Sequence, residues 1–159
     1  MATVPELRDH LGTLAVILWN YGAVFPVPTL DQYVDTGNLG FSISADLPGP
    51  DRPAPAKIKL AEIWAPAGDA GQFEQADYEY DLVEHPMNRR RAFHSTQREF
   101  YARHFGVLVH EHCEETLGAP MCGHYYGLPV TAHEAIATFT AIWGQPAPLG
   151  CAELRCMER

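Results

Sequence analysis

The chain of 159 residues has no apolar run of membrane-spanning length, little basic charge, no internal repeat and only four cysteines. Its greasiest stretch, LGTLAVILW, is about half of what a bilayer-crossing helix needs, so no membrane partner is expected. The opening MATVPELRDH mixes Glu6 and Asp9 with Arg8, so no positively charged segment of an export signal precedes that stretch. The expected location is the cytoplasm, where the four cysteines would be thiols or metal ligands rather than disulfides. Lys and Arg number 11 against 20 Asp and Glu, a formal net charge of −9. Such a balance repels a phosphate backbone over most of the surface and argues against a dedicated nucleic-acid binder. The basic concentration is the RRR run at 89–91, followed by Arg98 and Arg103.

What is present suits one domain spanning 1–159, since 47% of the residues are hydrophobic and can bury a core. Residues 5–21 read as a helix, with Pro5 in the first turn and Leu7, Leu11, Leu14 and Leu18 on one stripe. Val16, Ile17 and Trp19 extend the apolar surface around it. The helix is therefore either deeply buried or shared with a protein partner, a second copy included. Period-two alternation then takes over. LGFSISADL (39–47), KIKLAEIWA (57–65), FEQADYEYDLVEH (73–85), RRRAFH (89–94) and FGVLVHEHC (105–113) read as strands. PGPDRPAP (48–55) cannot join a ladder and reads as a rigid loop. STQREFYARHF (95–105) suits a helix capped by Ser95 or Thr96. TAHEAIATFTAIWG (131–144) carries a Thr131–Glu134 capping box, an inward stripe of Ile136, Phe139, Thr140 and Trp143, and Gly144 as its stop. The expected architecture is α+β: an antiparallel sheet of about five strands with an N-terminal and a C-terminal helix packed on one face.

The functional signal sits in HEHCEETLGAPMCGH (110–124), with three histidines, two cysteines and three glutamates. Two metal readings compete for it. In one, His110 and His112 project from one strand face and His124 returns after the Gly118–Pro120 turn. Three neutral imidazoles with an open fourth position are the pattern of a catalytic zinc, and Glu114 would serve as base. In the other, Cys113, Cys122 and His124 join His112, Cys151 or Cys156 in a closed structural zinc site. A strand turns Cys113 away from His112, so the sets exclude each other unless the strand stops at His112. The bland alternative is a solvated strand face of histidines with cysteines packed in the core.

A second constellation needs no metal. After His85-Pro86, Arg90 and His94 share a face of the strand 89–94, which could lie beside the one that bears His110 and His112, although strand order is not deducible from the sequence. Histidine acid–base pairs with a guanidinium to hold a pentavalent phosphate suffice for RNA cleavage through the 2′-hydroxyl. For the arginines the plainer expectation is a solvated hairpin end. His10, His104 and His133 lie on helices and are assigned no role.

Residues 76–145 run YEYDLVEHP, RRRAFH, the HEHC strand and the capped helix TAHEAIATFTAIW. This layout resembles an uncharacterised actinobacterial family with the pattern YEY…HP…RRAFH…HEHCEE, and is similar to small bacterial toxins of the TumE type. The resemblance implies an intracellular toxin-like ribonuclease paired with an antitoxin, with His85, His94, His110 and His112 at the matching positions. The acidic charge, the longer N-terminus and Cys113 and Cys122 depart from that pattern. The expected function is thus a cytoplasmic domain with a zinc site of His110, His112, His124, Cys113 and Cys122, hydrolysis being the reaction class such a site best serves. The alternatives are a metal-free ribonuclease using His94 and Arg90, or a partner-binding module with a structural zinc.

Overall fold

The computed structural model describes residues 1–48, 55–95, 109–118, 124–126 and 128–146. Along them run β1 (Ala2–Thr3), α1 (Val4–Asn20), β2 (Asp31–Gln32), β3 (Leu39–Leu47), β4 (Ala56–Pro66), β5 (Gln72–Glu84), β6 (Arg89–Ser95), β7 (Val109–Glu114), β8 (His124–Tyr126) and α2 (Ala132–Ile142). The sheet is antiparallel and ordered β2-β3-β4-β5-β6-β7-β8, with β1 on the first residues of β5. The class is α+β, but the strands outnumber the five expected. The five are β3 to β7; the additions, β1, β2 and β8, are two or three residues each, too short to leave an alternating pattern. The expected helix over 95–105 lies outside the described residues apart from Ser95, which closes β6 opposite Val109. The loop at 48–55 also lies largely outside them.

Alternation decides the two faces of the sheet. On β3, Leu39, Phe41, Ile43, Ala45 and Leu47 are buried while Ser42, Ser44 and Asp46 are exposed. On β5, Tyr78, Tyr80 and Leu82 join the same core. A bulge opposite the Ile63–Trp64 step then shifts the register, so that Trp64 faces Gln75 and Pro66 faces Phe73. The shift brings Phe73 into a second apolar cluster with Leu7 and Leu39, where strict alternation would have exposed it. Leu11, Leu14 and Leu18 of α1, and Ala132, Ala135, Ile136 and Phe139 of α2, belong to the main core with the strand residues Phe41, Leu60, Tyr80 and Phe93.

Both helices start as their sequences dictate. Glu6 Oε2 accepts from Thr3 N at 2.7 Å and from Thr3 Oγ1 at 2.8 Å, and these bonds hold the Glu6 carboxyl below its ordinary range. The Thr131–Glu134 box forms as expected, with Glu134 N donating to Thr131 Oγ1 at 3.3 Å and Thr131 N to Glu134 Oε2 at 2.8 Å. Ile136, Phe139 and Trp143 are buried, and Gly144 takes the left-handed conformation that ends the helix (φ 67°).

Polar anchors tie these helices to the core face of the sheet. Glu62 lies fully buried and accepts from Tyr80 Oη at 2.7 Å and Trp64 Nε1 at 2.9 Å. His10 Nε2 of α1 sits 3.1 Å from both of its oxygens. Burial in this setting raises the Tyr80 hydroxyl's pKa, and the adjacent carboxylate raises it further. Arg89 bonds Glu84 at 2.6 Å and donates to the carbonyls of Ile142 and Gln145 at 2.9 and 2.8 Å; Glu84 in turn accepts from Gly144 N at 2.6 Å. The orphan carbonyls at the end of α2 are thereby satisfied from the sheet.

Arg89→Ala strips a buried carboxylate of its cation, and we expect it to cost about 3–5 kcal/mol. Lys59→Ala removes a half-exposed pair with Glu79 and should cost no more than about 1 kcal/mol. Urea denaturation of the two variants measures the contrast; equal losses would contradict the buried anchor.

Candidate functional site

The face of the sheet away from the core carries the cluster. Across β5, β6 and β7 the register sets Glu79 beside His94 and His94 beside His110, then Asp81 beside Ala92 and Ala92 beside His112, with Arg90 beside Glu114. Directly opposite residues of antiparallel strands share a face, so one surface gathers Glu79, Asp81, Arg90, His94, His110, His112 and Glu114. The His110 and His112 rings lie 4.4 Å apart between centroids, and His94 stands 4.8 Å from His112 and 6.5 Å from His110.

The carboxylates are divided between two kinds of neighbour. Lys59 holds Glu79 Oε2 at 2.5 Å, and Arg90 Nε holds Asp81 Oδ1 at 2.6 Å. The other oxygen of each turns to the histidine: Asp81 Oδ2 lies 3.1 Å and Glu79 Oε1 4.0 Å from His94 Nε2. Arg90 Nη2 approaches the same nitrogen at 3.4 Å, and Arg90 Nη1 reaches Glu114 Oε1 at 3.2 Å. Glu114 Oε1 is also 3.4 Å from His112 Nδ1. Among the described residues the donor atoms that converge within 4.8 Å belong to Glu79, Asp81 and His94.

Burial alone would raise the Asp81 carboxyl, but the His94 hydrogen bond and the Arg90 charge outweigh it and bring it down to about 2. His112 is pushed down to about 4, first by burial and then by the positive charges of Arg90, His110 and His94. At neutral pH it is an uncharged imidazole, the form that binds metals.

Two members of the expected ligand set, Cys113 and His124, are placed otherwise than expected. Cys113 is disulfide-bonded, so it has neither the free thiol expected of it nor a thiolate to offer a metal; its Sγ also accepts from Arg91 Nη1 at 3.3 Å. His124 stands in register with Glu111, and the place opposite His110 belongs to Tyr125, because the return is offset by one residue. Cys122, Cys151 and Cys156 lie outside the described residues. The solvated hairpin end expected for the arginines is also replaced. Arg89 pairs with Glu84, Arg90 with Asp81 and Glu114, and buried Arg91 with buried Glu111, so the basic run is neutralised in place. Burial lowers the pKa of Arg91 and raises that of Glu111. His85 is exposed in the turn before Asn88 and stands apart in sequence register from this group.

Glu79 and Asp81 were missed from the sequence, yet their signal was there. In YEYDL the aromatic residues mark one face, so the two acids between them mark the other. Comparison with family models, with curated proteins and with solved structures finds no match to the chain. No helix among the described residues is long and apolar enough to cross a membrane.

Both perturbed groups make stability fall on acidification, in separate windows. His112 takes up its proton in the unfolded chain near 6.5 but in the folded one near about 4, so its contribution is complete above 6.5 and is lost between those values. Asp81 contributes above 3.8 and loses that contribution as the pH falls towards about 2. Urea midpoints measured across pH should show both losses, with His112→Gln flattening the upper window and Asp81→Asn the lower. A wild-type curve that is flat from 6.5 to 4 would contradict the His112 environment.

Proposed function

We propose that the protein binds a divalent transition metal, zinc first, on this outer face through Glu79, Asp81 and His94. One observation carries the reading: each carboxylate has one oxygen held by a cation while the other faces His94 Nε2. Neighbouring donors on a tetrahedral zinc stand about 3.3 Å apart, given bonds of about 2.0–2.1 Å. The 3.1 Å between Asp81 Oδ2 and His94 Nε2 suits that spacing. Lys59 and Arg90 would be the outer groups that orient the ligands, as metal sites commonly require, and Arg90 Nη2 would have to yield its place beside His94. His112, uncharged at neutral pH, and His110 would be the imidazole donors adjacent to the set, in place of the sulfur ligands. A metal here would supply a Lewis acid, and hydrolysis is the class of reaction it suits. His112, backed by Glu114, would take the proton.

Metal analysis of protein purified without a histidine tag tests this, with about one zinc per chain expected for a single site. Asp81→Ala and His94→Ala should each abolish retention, while Cys122→Ala and His124→Ala should leave it. Less than about a tenth of a metal per chain after zinc loading and desalting would remove the proposal.

A metal-free, toxin-like ribonuclease is the second reading. It is favoured by the gathering of Arg90, His94, His110 and His112 on one surface. Against it stands the use of Arg90 on two carboxylates, on a face where Glu79, Asp81 and Glu114 would repel phosphate. RNA cleavage that survives chelation and is lost in His94→Ala would favour it over the metal site. We also infer that α1 engages a protein partner through its outer side, where Val16 and Trp19 are exposed.

A further inference from the structure

The outer side of α1 is lined by the row Arg8, Gly12, Val16 and Trp19, which spans most of the helix. With Val27 and Leu30 it borders a groove of about 510 Å³. Val16 is 51% and Trp19 44% exposed, and exposed Val27 continues the apolar surface across the groove. One face of the Trp19 indole is covered by Phe25, stacked at 5.4 Å between centroids.

We propose that this face is the interface of a symmetric homodimer, in which α1 packs antiparallel against α1 of a second copy. Three observations select a second copy over another occupant. First, the row complements itself. A twofold axis passing near residues 13 and 14 sets Arg8 of each copy near Trp19 of the other, and Gly12 near Val16. A guanidinium on an indole face and a side chain over a glycine are each formed twice, as an isologous contact demands. Second, the charge fits. A chain of net charge −9 repels its own copy over most of its surface, but this row holds no carboxylate and carries one arginine. Third, Gly12 has no explanation within one chain. A Cβ built there meets nothing within 4 Å, so the fold would accept alanine, which favours a helix more. A close approach by another helix along the i, i+4 row is what a glycine there permits. The 17-residue helix is about 25 Å long. Paired along its length and flanked by the segment Val27–Leu30, it forms the centre of a compact two-helix contact.

Sedimentation of the full chain from about 1 to about 100 µM tests the proposal, a range chosen because interfaces of standard size bind at micromolar affinity or tighter. The wild type should sediment at twice the chain's mass. Val16→Glu and Gly12→Leu should each weaken the dimer at least about tenfold, 1.4 kcal/mol or more, with the circular dichroism spectrum unchanged. Gly12→Ala checks the fold itself: at concentrations where both proteins are monomeric it should melt no lower than the wild type. A wild type monomeric at every concentration overturns the proposal, whether the face then serves another protein or a lipid surface. A dimer unmoved by both Val16→Glu and Gly12→Leu overturns it equally, because the contact would lie elsewhere.

Discussion

Two buried ion pairs lock the register of β5, β6 and β7, and the outer cluster exists only in that register. On the core face Arg89 meets Glu84 directly across the strands, and Arg91 meets Glu111 diagonally between β6 and β7. Buried pairs of this kind contribute little net stability, because desolvation offsets most of their attraction. Their influence is on the alternatives. A slip of one residue would turn every side chain to the opposite face, leaving four buried charges without partners and carrying the histidines into the core. The arginine run therefore acts as a set of register pins, and it pins His94 beside His110.

The outer surface inverts that logic. There Lys59 and Arg90 each hold one oxygen of Glu79 and Asp81, the other oxygens turn to His94, and Arg90 also reaches Glu114. Burial and the neighbouring positive charges keep His112 uncharged at neutral pH. Under the proposed reading, an uncharged His112 beside Glu79, Asp81 and Glu114 would favour an added cation over an added phosphate. On this ground the acidity of the whole chain and the chemistry of the local site point the same way.

The core residues were legible because burial imposes a period. The leucines of α1, the alternation in β3 to β6 and the Thr131–Glu134 cap each repeat a local rule, and each formed where the pattern set it; of the expected strand 105–113, residues 105–108 lie outside the described residues. The bulge at the start of β5 was not legible, since an extra residue in one strand shows only when its partner is known. The short strands β1, β2 and β8 escaped for a related reason. Two residues carry no period, and pairing with a neighbour alone makes them strands. In the site, the shared face of His110 and His112 and the nearness of Arg90 and His94 followed from strand spacing. The disulfide of Cys113 and the register of His124 did not, because both depend on pairing with another part of the chain.

By itself the sequence determined which side chains must leave water and which surfaces must stay wet, because those are set by spacing along one strand or helix. It placed His94, His110 and His112 on exposed strand faces and made α1 apolar on more than one side. Tertiary structure decided which strands stand next to one another and in what register. That choice brought Glu79 and Asp81, fifteen and thirteen residues before His94 and left unread, within reach of its ring nitrogen. A ligand set is a statement about distances between strands, and those distances are fixed by pairing, which no single strand encodes.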